Sequence, residues 1–352
     1  MLSSIILSII SHMDGERTIY SGLHLLRGKR SGQTLQDIEY YNLKGFFCVW
    51  PKLKIELYDE ATNQLMKSGY ISIKDKAIVQ LTEKGRTRSR SLPTYYFNGW
   101  NYRGNEMIFF ARLSLTVQTV SNFRAGKRSF MPTEKDYEVQ TFVKSLLHKQ
   151  PIGNPSFSLQ LMDELRRCVE NSKLTEVQKL ILVHRLGGYE LTGWTWSQLA
   201  ESLKLSVVSI RLLFIESLHL LLDTIDVSTN MPYLRKMTDN VKVSSYLTAS
   251  AMQTKQFFES GLSMDRIAEI RKLKMSTIED HFVEMSINDS DFPLDQFVSE
   301  RNVKEVMTHA DELETRRLRL LKDEFNELTY FQLRLILGAK SRGGKEWDSI
   351  KS

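Results

Sequence analysis

Twice along this sequence a short helix-forming run gives way to a brief turn and then to a second helix-forming run, and this rhythm constrains the fold more than any other feature. The first copy is prepared by Leu174-Thr175-Glu176-Val177-Gln178, whose Thr-x-x-Gln spacing is a capping box for a helix running to Leu186, where Gly187 and Gly188 end it. Residues Trp194 to Leu203 predict a second helix, Lys204-Leu205-Ser206 a turn, and Val207 onward a third helix. The second copy runs from Ser260 to Arg271 and from Leu273 to Phe282. There Ser263 and Ser276 stand at N-cap positions, and Ser276-x-x-Glu279 reads as another capping box. With 7 Pro and 18 Gly in 352 residues, 41% hydrophobic and 26% charged, the chain is expected to be folded and helix-rich, in two or three domains.

The front of the chain adds a different pattern. Helical spacing from Thr18 to Leu26 ends in the basic turn Arg27-Gly28-Lys29-Arg30-Ser31-Gly32, and apolar residues at 53, 57, 61 and 65 keep one face of a helix whose first turn suits Pro51. Two β-prone pieces, Tyr70 to Ile73 and Ala77 to Leu81, precede Thr82-Glu83-Lys84-Gly85-Arg86. Helices followed by a small basic hairpin describe a winged helix. The expected fold class is therefore mainly α, with tandem helix-turn-helix domains behind an N-terminal winged helix carrying a small β-hairpin. The expected divisions are a winged helix at 1–90, a helical connector at 91–165, and helix-turn-helix units at 166–228 and 240–340. The run Leu2 to Ile10 is apolar but far shorter than a membrane span, and reads as a core helix.

Charge is uneven. Residues 1–150 carry 22 Lys+Arg against 13 Asp+Glu, whereas residues 151–352 carry 26 against 29. Cations that displace counterions from phosphates dominate nucleic-acid affinity, so the front half is the better candidate for the main contact. Between Arg86 and Arg103 cations mix with Tyr95, Tyr96, Phe97, Trp100 and Tyr102. Such rings can stack on bases, but most of these are expected to plug a joint, leaving Arg86, Arg88 and Arg90 as phosphate contacts.

Several chemistries are absent. The glycines around Gly22 and Gly28-Lys29-Arg30-Ser31 miss phosphate-loop spacing, and Arg30 stands where the magnesium-binding hydroxyl belongs. Glu216-Ser217-Leu218-His219 is a single E-x-x-H without the further carboxylates of a di-iron bundle. Cys48 and Cys168 lack zinc spacing, no two of the 7 histidines are three to five apart, and no G-x-S-x-G elbow occurs. A non-enzyme without metal or cofactor is expected, in a reducing cytoplasm.

The quoted segments also resemble known families. Leu26 to Ser31, Gln64 to Tyr70 and Leu81 to Arg86 resemble the winged-helix part of RecQ C-terminal domains, over about residues 18–90. That resemblance implies phosphate contacts by Lys52, Lys54, Lys74 and Lys76, with Arg27, Lys29 and Arg30 nearby. Residues 172–222 resemble region 4 of sigma factors in helix order. Their third helix, however, offers Val207, Val208 and Leu212 with Arg211 as its cation, a face for docking a partner rather than for reading bases. Residues 245–338, through Phe325 to Leu335, resemble the helix-turn-helix at the C-termini of RecQ-type helicases. There Lys272, Lys274, Ser276, Thr277 and His281 are expected near phosphates, while Glu279, Asp280 and Glu284 crowd the same helix. Arg316, Arg317, Arg319 and Lys322 read as a solvated helix face paired with its own acids.

A RecQ-like front, a helicase-associated tail and no motor between them together resemble the YpbB-type family of bacterial proteins. The resemblance implies a non-catalytic accessory of a RecQ-type helicase, binding single-stranded or branched DNA in repair or recombination. It places the protein in the cytoplasm, at the nucleoid, with no membrane partner. A sequence-specific transcription regulator and a pure protein adaptor are the alternatives.

Overall fold

The computed structural model describes residues 1–74, 77–148, 155–244, 246–289, 291–312 and 318–340. Helices make up most of these, and the sheet among them is a single antiparallel hairpin, Ile71–Lys74 against Ile78–Leu81, with Ile71 opposite Leu81. The mainly α expectation, small hairpin included, is borne out. The chain divides into two compact units. The first gathers Met1–Ile5, Cys48–Ala61 and Ser91–Ser244, and the second gathers Ile6–Phe47, Thr62–Arg90 and Ser245–Ser352. The N-terminal run forms the helix Leu2–Met13 with Ile5, Ile6, Leu7, Ile9 and Ile10 buried. No single helix among the described residues is long and apolar enough to cross a membrane.

The first unit is organised around the helix Val207–Val227, which packs against Glu106–Arg124, Pro155–Asn171, Glu176–Arg185 and Trp196–Leu203. A helix apolar on several faces must bury several faces. Ile210, Leu212, Phe214, Leu218, Leu221, Leu222 and Ile225 are accordingly in the core. Leu212 is 0% exposed, which overturns its assignment to an outward docking face.

The polar residues of the same helix explain the E-x-x-H spacing. Glu216 accepts the Tyr96 N–H at 2.7 Å and the Gln178 side-chain amide at 3.0 Å. His219 Nδ1 accepts the Asn98 N–H at 3.0 Å, and Asp223 accepts from the Asn98 amide at 2.8 Å and the Tyr102 hydroxyl at 2.6 Å. Residues three, four and seven apart share a helix face, so one polar stripe holds the aromatic connector in place. Phe97, Trp100 and Tyr102 are buried there, as joint-plugging rings should be, while Tyr96 stays exposed with the Lys173 ammonium 5.3 Å from its ring centroid.

In the second unit the Leu81-Thr82-x-x-Gly85 motif closes the hairpin. The Thr82 hydroxyl accepts the Gly85 N–H at 3.0 Å, capping the helix Glu83–Arg90, and donates to the Gly69 carbonyl at 2.6 Å. A Cβ on residue 85 would overlap the Tyr70 carbonyl oxygen, so glycine is required there by close approach. The remainder of the unit packs Ala249–Glu259, Met264–Arg271, Met275–Asn288 and Tyr330–Lys340 around Phe282, with Phe258, Phe292 and Phe297 edge-on to it.

Both helix-turn-helix bends are built alike. Lys204 and Lys272 each adopt the left-handed conformation, at φ 53° and 51°, and the leucine that follows donates its N–H to Ala200 or Ala268 at 3.0 Å. Thr195 with Gln198 forms a full capping box, as Thr175 with Gln178 does, and Ser206 and Ser263 cap the helices after them. Two local expectations shift. Lys274, not Ser276, is the N-cap residue of Met275–Asn288, so Ser276 with Glu279 forms no capping box. Pro51 lies in a turn ahead of a helix that begins at Ile55.

Replacing glycine by alanine inside a helix normally stabilises by about 1 kcal/mol. At Gly85 the sign should reverse: Gly85→Ala is expected to destabilise by roughly 2 kcal/mol or more, read as a lowered thermal midpoint, and an unchanged midpoint would contradict the close approach.

Candidate nucleic-acid interface

The helix that a helix-turn-helix lays on DNA is here Met275–Asn288, and its surroundings decide what it can touch. Ile278, His281, Phe282, Val283, Met285 and Ile287 are buried. On one flank lies Gly32–Tyr40, a helix from the front of the chain that packs against both Met275–Asn288 and Tyr330–Lys340. The fit at its start is close, for a Cβ on residue 32 would come within 2.6 Å of Asp280 Oδ1. The most exposed part of Met275–Asn288 is thus its first turn, with Glu279, Asp280 and Asn288 half-buried beyond it. Lys272 and Lys274 on the bend and Ser276 are exposed, and Thr277 is half-buried. Backbone N–H groups at a helix start favour anions, so this end suits phosphates.

Two of the three acids of this helix are engaged within the protein. Asp280 is paired with Arg334 at 2.5 Å. Glu284 is buried and accepts the N–H and hydroxyl of Thr248 at 2.5 and 3.0 Å, anchoring the start of Ala249–Glu259. The expected crowding is thus corrected at Glu284, which is withdrawn from the surface, and offset at Asp280 by its pairing, while Glu279 stays half-buried on the helix. His281 is also withdrawn from the surface. Its Nδ1 lies 2.8 Å from the Thr254 hydroxyl and 3.4 Å from the Arg271 guanidinium, which itself donates to Ser250, Gln253 and Thr254.

Of the front cations in this unit, Lys29, Lys74, Arg88 and Arg90 are exposed and Arg27 is half-buried. Arg30 and Arg86 make contacts within the protein that define their roles. Arg30 donates to the Tyr246 carbonyl at 3.0 Å, and Arg86 pairs with Asp14, which also accepts the Leu81 N–H at 2.7 Å. Arg86 therefore serves the hairpin, and its charge is offset. Lys76, Arg316 and Arg317 lie outside the described residues. Arg319 is exposed, and Lys322 donates to the Asn326 carbonyl at 2.6 Å rather than to an acid.

Lys52 and Lys54 are exposed in the first unit. Nearby on the sequence-predicted docking helix, Val207 and Val208 are half-buried and Arg211 is exposed, its guanidinium 5.6 Å from the Trp196 ring centroid. Glu106 and Arg334 carry no motif and no periodic signal, because each acquires its role from residues distant in sequence. Among the described residues no group of three or more His, Cys, Asp or Glu is placed to hold a metal.

Residues 250–337 match the family model of a helix-turn-helix domain. The chain is 28% identical over 342 residues to protein YpbB of Bacillus subtilis (strain 168), an alignment covering 94% of this chain and 95% of that protein. No solved structure matches. The resemblance to YpbB-type proteins thus holds along nearly the whole chain, and its tail is a helix-turn-helix domain, the kind of module that binds DNA.

Burial, reinforced by the Arg271 charge and opposed by Asp280, holds His281 below its ordinary value of 6.5. Below that value the unfolded chain takes up a proton that the folded site resists, so the stability contributed by His281 is present above pH 6.5 and lost as pH falls through it. The thermal midpoint should therefore drop between pH 7.5 and 5.5, approximately. His281→Asn should flatten that slope; an equal slope in the variant would remove His281 as its source.

Proposed function

We propose that this chain is a non-catalytic DNA-binding accessory factor that works beside a RecQ-type helicase in DNA repair or recombination, in the cytoplasm at the nucleoid. It grips single-stranded or branched DNA through phosphates with little sequence preference. The observation that carries this reading is the burial of Ile278 and of His281 through Ile287, most of Met275–Asn288 beyond its first turn. Reading base edges needs a row of donors and acceptors along the groove-facing side of a helix. Exposed lysines and a serine at a helix start supply phosphate contacts, which position a protein without specifying sequence.

In this reading Lys272, Lys274, Ser276 and Thr277 act with Arg27, Lys29, Lys74, Arg88 and Arg90 in the second unit. Lys52 and Lys54 contribute from the first. The segment 1–90 acts as the winged helix, 91–165 as connector, and 166–228 and 240–340 as the two helix-turn-helix modules. The helicase partnership draws on the likeness of both ends of the chain to parts of RecQ-type helicases. Burial of Leu212 weighs against a pure adaptor working through that helix, and the lack of a base-reading face weighs against a sequence-specific regulator.

Phosphate contacts make affinity fall with salt, by a slope of about 0.7 per contact on single strands. Binding of the full chain to a fluorescent forked duplex, titrated across salt, should show a steep slope that Lys29→Ala/Lys74→Ala/Arg88→Ala/Arg90→Ala flattens. The slope of Lys272→Ala/Lys274→Ala should fall by about 1 to 2, since two phosphate contacts are removed. Salt-independent binding would overturn the reading. Co-purification with the cell's RecQ-type helicase should survive nuclease treatment, and loss of the helicase under nuclease would leave DNA as the link.

A further inference from the structure

In a helix-turn-helix the helix after the bend is the one that meets the target. In the first unit that helix, Val207–Val227, lends Arg211 and Ile215 to a cavity of about 440 Å³. Trp50, Met107 and Trp196 complete its apolar walls, and all of these reach solvent in part, Met107 at 43% exposure. Three charged side chains line the cavity: Lys52, Arg211 and Glu106. The two cations are exposed, whereas Glu106 is buried with its carboxylate 3.5 Å from His219 Nε2. The charge that the cavity presents to solvent is thus positive.

Trp196 is held in place by its own surroundings. The Arg185 guanidinium lies 4.2 Å from its ring centroid and donates to the Trp194 carbonyl at 2.6 Å, and Phe214 packs edge-on at 5.1 Å. A wall already fixed loses little freedom when a flat group enters. Arg211, exposed and 5.6 Å from the same centroid, is the looser cation, and a guanidinium can stack on a base as well as pair with a phosphate.

Aromatic walls accept flat rings, and a cationic rim favours a polyanion. An unpaired base on a strand offers both, since every base has a π face to stack and a phosphate on either side. A base within a duplex is already stacked on both faces and stays with its partner. With Glu106 turned to His219, no acid of the cavity is placed to tell one base from another.

We propose that this cavity holds an unpaired base of a single strand, stacked against Trp50 and Trp196 whatever its identity, with the neighbouring phosphates on Lys52 and Arg211. The inference rests on the DNA-binding reading above and deepens it: phosphate contacts grip any strand, and the first unit distinguishes single strands from duplex.

The test uses the full chain and two strands that share a phosphodiester backbone, a thymidine 15-mer and a 15-mer of abasic sites. The thymidine strand should bind about tenfold more tightly, a gain that stacking a single base supplies, and should quench the tryptophan emission further. A mixed-sequence strand should show the same gain. Trp50→Leu should erase the difference between thymidine and abasic strands, and Trp50→Phe should restore part of it. Lys52→Ala should lower the salt slope by about 0.7 and leave the difference in place. Should Trp50→Leu impair folding, the unaltered chain still decides: a strand with one central 5-iodouracil, irradiated in the complex, should crosslink to the segment carrying Trp50, Met107 or Trp196.

Crosslinks confined to other segments would overturn the inference, as would a thymidine gain that survives Trp50→Leu in a folded variant. Steep salt dependence with equal affinity for the two strands sinks the base cavity and leaves the proposed function standing. Salt-independent binding, or none, sinks the proposed function and the cavity with it. A protein retained after nuclease treatment by the unaltered chain but lost with Trp50→Leu, with the two strands bound alike, would give the cavity to a protein partner instead.

Discussion

The enclosure of Met275–Asn288 sets the terms for the second unit. Ala249–Glu259, Tyr330–Lys340 and Gly32–Tyr40 all pack on it, and close-packed interiors leave no room to admit a DNA groove along the same surface. What remains most exposed is the bend and the first turn, with Lys272, Lys274 and Ser276 at the surface. Two acids on the helix help to hold this arrangement, Asp280 through Arg334 and Glu284 through Thr248.

The first unit solves a different problem with the same helix-turn-helix rhythm. Its third helix is the core of the unit, and the polar residues it carries face inward because they have backbone work to do. Glu216, His219 and Asp223 take up N–H and amide donors of Tyr96 and Asn98, where the connector has no regular secondary structure, and the hydroxyl of Tyr102 at the end of the short helix Gly99–Tyr102. Burial raises the Glu216 carboxyl above its ordinary value, and the hydrogen bonds to Tyr96 and Gln178 oppose that rise. A triad of types that elsewhere holds metals or moves protons is here a clasp.

Most features that depend on neighbours close in sequence are legible there, the Ser276 cap and the place of Pro51 excepted. The capping box at Thr175, the cap at Ser263, the hairpin between residues 71 and 81 and the bends at Lys204 and Lys272 all involve partners within about ten positions, and each has a local physical cause. The Leu81-Thr82-x-x-Gly85 run was legible as a motif, although its cause, the contact of Gly85 with the Tyr70 carbonyl, was not. Readings about facing and charge failed more often. Leu212 seemed outward because one helix with apolar residues all round gives no direction, and Arg30 and Arg86 seemed available because Tyr246 and Asp14 lie 216 and 72 positions away.

By itself, then, the sequence determined where helices start and bend, that the hairpin follows them, and that cations concentrate toward the front. These follow from capping, backbone conformation and composition, which act over a few residues or none. Tertiary structure alone decided which side chains reach solvent, which charges are cancelled, and that a front helix shields the flank of the tail's helix-turn-helix. Those outcomes depend on packing between segments hundreds of residues apart, and no local preference encodes which surfaces meet.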